Sequence, residues 1–218
     1  MSSVTPPSLS LGNRGPREAR DAEGDVDEWM SLDGVVQAPG RADEDEDGGF
    51  AHGGWHLRYF DELAQDWVAE GYEEPGGFLL GRRTYEILGA YWPTASEEEQ
   101  VIARPLNTLP KYVASSTLTE PLEWQNSSLL KGDIAKAVSS LKQEEGKDLR
   151  VIGSTQLLQT LIGHDLVDEL RLMIDPLLLG GGKRAFPEDG ISRSLRLADS
   201  RVATTGAILA TYVREPGG

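Results

Sequence analysis

FLLGRRTYE, residues 78–86, is the stretch on which the fold turns. Phe78, Leu79 and Leu80 form an apolar run too short for a helix and suited to a buried strand. Gly81 closes the run, and helical spacing takes over at Arg82 and continues to Pro93. Two further stretches share this design. YVASST, residues 112–117, is a buried strand ending in hydroxyl residues. RVIGSTQLL, residues 150–158, belongs to a strand over 149–152 that runs into Gly153, Ser154 and Thr155 and then a helix marked by Leu157, Leu158, Leu161 and Ile162. Short buried strands alternating with helices predict an α/β fold with a mostly parallel sheet.

Upstream, Leu57, Phe60, Ala64, Trp67 and Val68 recur at helical spacing. A first strand is predicted over 26–32, with a turn at Asp33-Gly34. Between strand and helix lies a long Gly/Asp-rich loop over 38–54 that contains DEDED at 43–47; the acidic run reads as a solvated loop, since the glycine and glutamate of a calcium loop are missing. Downstream, Ile134, Ala137, Val138 and Leu141 mark a helix with Asp133 as N-cap. Residues 170–179 form an apolar strand region interrupted at Pro176 and closed by Gly180, Gly181 and Gly182. Residues 195–202 and 208–213 then read as an antiparallel pair. Residues 1–24 lack hydrophobic periodicity and read as a disordered tail before a single domain over 25–216.

Composition narrows the function. The chain has 218 residues and a net charge of −15, of which residues 1–54 carry −8 and residues 55–218 carry −7. That balance argues against nucleic-acid binding, which needs a basic surface, yet leaves room in the body for a local anion site. The absence of cysteine removes thiolate metal sites and disulfides, and three histidines offer little for a metal centre, so no metal is expected. No apolar run is long enough for a membrane span, and no signal-peptide core is present, which predicts a cytoplasmic protein.

In open α/β sheets ligands bind beyond the carboxyl ends of the strands, where helix N-termini offer free N–H groups to phosphate. Gly81 permits close approach there, Arg82 and Arg83 add positive charge, and Thr84 adds a hydroxyl. Gly153, Ser154 and Thr155 repeat the provision, and Ser115 and Ser116 suit a further phosphate or a ribose edge. Together they fit a dinucleotide diphosphate with a 2′-phosphate. Neither a Walker loop nor GxGxxG is present.

The order of these segments resembles the dihydrofolate reductase-like family that includes the C-terminal reductase domain of bacterial riboflavin-biosynthesis proteins. The resemblance covers about 26–213. It is carried by SLDGVVQAPG (31–40), GGW (53–55), LLGRRTYE (79–86), PKYVASST (110–117), GST (153–155), HDLVDEL (164–170) and PLLLGGGKRAF (176–186). It implies a three-layer α/β/α fold with a mixed, mostly parallel central sheet and antiparallel C-terminal strands. It also implies NADPH as cofactor, a small heterocyclic substrate of the pterin or riboflavin-precursor kind, and a homodimer formed through the strand-rich C-terminal part.

By that resemblance Gly81, Arg82, Arg83 and Thr84 hold the diphosphate, Ser115, Ser116 and Thr117 face the 2′-phosphate, and Gly153, Ser154, Thr155 and Gln156 wrap the diphosphate from the other side. The loop containing Val35 approaches the nicotinamide. Reduction also needs a proton source, for which Asp33 is the candidate, with Asp61 nearby on the first helix on the substrate side. Trp55 and Tyr59 are candidates to stack on a flat heterocycle. Lys183 and Arg184 either add charge at the cleft or lie at the surface, and Asp175 is either a buried, satisfied acid or a solvent-facing strand edge. The first strand departs from the family pattern in its acidic start, Asp25-Val26-Asp27-Glu28, which predicts a short or frayed beginning. The rival readings are a non-catalytic NADPH-binding module and an interaction domain with an empty cleft.

Overall fold

The computed structural model describes residues 22–73, 75–143 and 148–215; the tail expected over 1–24 lies outside them except for its last three residues. Eight strands form one sheet: β1 (Gly24–Ser31), β2 (Gly77–Gly81), β3 (Lys111–Ala114), β4 (Ser127–Leu130), β5 (Leu149–Ile152), β6 (Glu169–Asp175), β7 (Leu195–Val202) and β8 (Ile208–Arg214). Their order across the sheet is β4-β3-β2-β5-β1-β6-β8-β7. All pairings from β4 to β6 are parallel, and β8 and β7 add antiparallel pairs at one end. The helices are α1 (Glu62–Tyr72), α2 (Arg82–Tyr91), α3 (Gln100–Thr108), α4 (Ile134–Gln143) and α5 (Thr155–Gly163). One face of the sheet packs Trp67, Phe78, Tyr85, Ile102 and Leu106 with α1, α2 and α3. The other packs Val26, Leu79, Val138, Leu158 and Leu161 with α4 and α5. The layers are therefore α/β/α, as expected.

β1 is eight residues long and buried from its first residue, so the frayed start expected of it is absent. The reason is charge pairing across the sheet. Asp25 lies in register with Arg150 of β5, and Asp27 with Arg171 of β6. Arg150 binds Asp25 at 3.0 Å and both oxygens of Asp27 at 3.1 Å, while Arg171 binds Asp27 at 3.1 Å and stacks 4.0 Å from the Trp67 ring. Buried charges persist only when paired in this way. Ahead of the strand, the backbone N–H groups of Ala22, Glu23 and Gly24 donate to Lys142, Asp148 and Asp168, so the last three residues of the expected tail are tied to the domain.

Other boundaries shift for local reasons. The helix expected from Leu57 is split: residues 57–59 form a 3₁₀ turn, and α1 starts after Asp61, its N-cap. α3, with Pro105 inside it, and β4, a short, mostly half-exposed edge strand, are additions to the expected elements. The strand region over 170–179 ends at Asp175, before Pro176. β6 lies between β1 and β8 in the sheet interior, so it is a core strand.

Candidate functional site

Because β1, β2, β3, β5 and β6 run parallel, Ser31, Gly81, Ala114, Ile152 and Asp175 all end on one edge of the sheet. Within that edge β2 and β5 are neighbours, yet α2 leaves β2 onto one face and α5 leaves β5 onto the other. This is the switch point at which open α/β sheets form a crevice. Ser154 spans it: its Oγ accepts the Gly81 N–H at 2.8 Å and donates to the Ile152 carbonyl at 3.0 Å. Ser154 reaches both from a left-handed backbone at φ 65°, and neither helix start receives a side-chain cap. Two uncapped N-termini thus open onto one crevice, with backbone N–H groups available to an anion.

The other residues expected at the cofactor distribute around this point. Thr84 faces Gly153, where a Cβ would lie 3.7 Å from its Oγ1. Thr155 is half-buried and Gln156 exposed at the start of α5. Arg82 lies along α2 and pairs with Glu86 at 2.9 Å. Arg83 turns to Asp45 and Asp47, which hold its guanidinium above the usual arginine range. Beyond β3, Ser115 Oγ accepts the N–H groups of Thr117 and Leu118 at 3.1 and 3.0 Å, so it shapes the loop while Ser116 and Thr117 stay exposed. Val35 is fully buried and bridges Arg184; its Cγ1 would lie 2.7 Å from any Cβ on Gly182, which explains that glycine.

The candidate substrate residues fare differently. Asp33 accepts from Ser31 Oγ at 2.6 Å, Leu179 N–H at 3.1 Å and Gly180 N–H at 2.8 Å, and these donors lower its carboxyl to about 2. Asp33 thus anchors the 179–180 backbone, and its contacts favour the ionised carboxylate over the protonated form a proton source needs. Asp61 accepts from Ala64 N–H and from the Thr204 N–H and hydroxyl; the Thr204 hydroxyl is the main cause that lowers its carboxyl, and Asp61 ties α1 to the β7–β8 turn. Trp55 is buried, its indole N–H bound to the Gln37 carbonyl at 2.8 Å, and offers no stacking face. Tyr59 is half-buried beneath the Arg58 guanidinium, 4.7 Å from its ring.

Two groups at this end of the molecule, His56 and Gln37, went unread in the sequence, and two whose roles it left open, Asp175 and Lys183, join them. His56 Nδ1 lies 2.9 Å from Asp175 Oδ2, and its ring stacks on Trp29 at 4.4 Å. Burial raises the Asp175 carboxyl against the pull of His56, and His56 Nε2 and Asp175 Oδ1 have no hydrogen-bond partner. Lys183 binds Asp45 and Asp47, so the acidic run is not simply solvated. Gln37 Nε2 donates to the carbonyls of Asp45 and Asp47. An open hollow of about 600 Å³ lies beside them, lined by Gln37, Phe50, His52, Leu179 and the 180–183 segment. No helix among the described residues is long and apolar enough to cross a membrane.

Comparison with known proteins agrees with this architecture. The chain is 31% identical over 137 residues to the uncharacterized protein YyaP of Bacillus subtilis, covering 62% of this chain and 71% of that one. It is 23% identical over 172 residues to YwjB of the same organism, covering 79% and 87%. Among solved structures, a protein assigned to riboflavin biosynthesis from Shewanella sp. PV-4 superposes with a TM-score of 0.63 at 23% identity, over 88% of this chain and 99% of that one. Dihydrofolate reductase from Enterococcus faecalis, complexed with NADP(H) and RAB-propyl, superposes with a TM-score of 0.57 at 16% identity, over 91% and 99%. The family model for the RibD C-terminal domain matches residues 26–209, and the chain belongs to that family, on a dihydrofolate reductase-like fold.

Proposed function

We propose that the protein is a cytoplasmic NADPH-dependent reductase of a small heterocycle, with the cofactor diphosphate at the crevice between β2 and β5. The observation that carries this reading is the pair of uncapped helix starts stapled by Ser154 at the switch point. The family and the NADP(H) complex of a structural neighbour support it. Bound NADPH supplies the hydride. The chain's part is to bind and orient: N–H groups of α2 and α5 with Thr84 on the diphosphate, Arg83 as countercharge, and the exposed Ser116 and Thr117 toward the 2′-phosphate. Asp33 holds the 179–180 backbone beside the cleft rather than giving a proton. A homodimer belongs to the same reading. Its surface would be the β7–β8 end, where Leu195, Leu197, Val202 and Ile208 are exposed.

Transfer of deuterium from C4-deuterated NADPH to a panel of dihydropterins and aminopyrimidines, read by mass spectrometry, tests the chemistry. A deuterated product establishes the reductase. NADPH binding with no transfer across the panel favours the non-catalytic module.

A further inference from the structure

The acidic run at 43–47 lies across the cations the cofactor reading needs. Asp45 bridges Arg83, in the first turn of α2, to Lys183, in the segment after β6, and Asp47 bridges the same two. Lys183 Nζ lies 2.9 Å from Asp47 Oδ2. Two carboxylates thus share two cations, the charge balance that one phosphate dianion or a diphosphate would reproduce. The bridge is positioned, not incidental. Gln37 donates to the carbonyls of Asp45 and Asp47 at 3.0 Å each and accepts the Lys183 N–H at 3.0 Å, so one buried side chain sets both halves. The loop is also closed at its neck, where Gly54 N–H donates to the Ala38 carbonyl at 2.9 Å and His56 N–H to the Pro39 carbonyl at 3.1 Å. Residues inside the neck can move without unravelling β1 or α1, and Gly48 and Gly49, both at positive φ, directly follow the run.

We propose that residues 43–47 are a displaceable anionic strap, and that a phosphate-bearing ligand binds by exchanging its phosphate oxygens for the Asp45 and Asp47 carboxylates on Arg83 and Lys183. The identity of that ligand as NADPH rests on the function proposed above; the exchange itself does not. The side chains of Arg83, Lys183 and Asp47 are 40%, 37% and 54% exposed, so the Asp47 pairs are weak surface contacts, and Asp45, at 9%, is the carboxylate a phosphate has to displace. Phosphate makes the same kind of charge-assisted, bidentate bond to arginine as a carboxylate and can take its place. While the strap is seated, apparent affinity is reduced by the fraction of molecules in which the cations are free.

The test is a calorimetric titration of the full chain with inorganic pyrophosphate and, separately, with NADPH. The variant Asp45→Asn/Asp47→Asn keeps the size of both side chains and frees both cations. It should bind each ligand about tenfold more tightly than the wild type. Asp43→Asn/Glu46→Gln removes equal charge from exposed positions of the same loop and should change affinity by less than about twofold. Ligand binding to the wild type should also raise amide exchange over 43–50, the reverse of ordinary ligand protection. Unchanged or weaker binding by the first variant, equal tightening by the second, or no binding of either ligand to any form overturns the strap. Tighter pyrophosphate binding without NADPH binding leaves the strap standing and removes the cofactor reading.

Discussion

Glu28 is a carboxylic acid inside an apolar layer. It shares a face of β1 with Val26 and Met30, one of its oxygens has no partner, and burial pushes its carboxyl up to about 8. Its folded-state pKa lies above the unfolded value of 4.5, so the folded chain keeps a proton that the unfolded chain releases between those pH values. Stability therefore falls as pH rises through this window, by roughly 1.4 kcal/mol per pH unit at most. Glu28→Gln mimics the neutral acid. It should match the wild type in thermal unfolding near pH 4 and exceed it increasingly toward pH 8; a constant offset across that range would contradict the burial argument. Asp33 has the opposite sign. Its depressed pKa makes its hold on the 179–180 backbone present above the unfolded value and lost as pH falls toward about 2. Asp33→Ala should raise amide exchange over 178–184; unchanged exchange would mean the carboxylate anchors nothing.

At the scale of elements, the α1–sheet contact depends on a missing side chain. A Cβ on Gly71 would sit 1.7 Å from Arg171 Nη1, inside the guanidinium that pairs with Asp27. Helix propensity alone favours alanine over glycine by about 1 kcal/mol. Overpacking a locked, buried ion pair costs about 1–3 kcal/mol and should win. Gly71→Ala is therefore expected to lower the unfolding temperature, and a rise would show that Arg171 yields freely. This contact also marks where the sequence could be read and where it could not. The strand–glycine–helix units around Gly81 and Gly153, and the β7–β8 pair, are legible because their signals are local: period, breaker residue, turn. The start of β1 reads as frayed because Asp25 and Asp27 look polar until Arg150 and Arg171, more than 120 residues away, are placed beside them. The same holds at the site. The glycine and hydroxyl residues of the crevice announce themselves in the chain, whereas Asp45 and Asp47 read as solvated until Arg83 and Lys183 are brought to them. His56 and Asp175 are joined only by the fold.

Across the whole molecule, the sheet is covered unevenly. α4 and α5 pack over β2, β5 and β1, but toward the β7 edge the same face runs out of helix. Val202 lies opposite Ile208, and Leu197 opposite Tyr212, with Leu197, Val202 and Ile208 exposed at 49%, 68% and 42%. Cross-strand partners share a face, so these side chains form one apolar area, which is the surface the proposed homodimer would use. Leu197→Asp should convert a dimer to a folded monomer in light scattering, and a wild type that is already monomeric at all concentrations would remove the dimer.

The crevice at the β2–β5 switch point is tested most directly by calorimetric titration with NADPH and NADH of the wild type and of Arg83→Ala. Binding of NADPH in the micromolar range, tighter than NADH and weakened about tenfold or more by Arg83→Ala, is the predicted result, since a charge-assisted bond to phosphate is worth roughly one such factor or more. Absence of NADPH binding, or binding indifferent to Arg83, would contradict it.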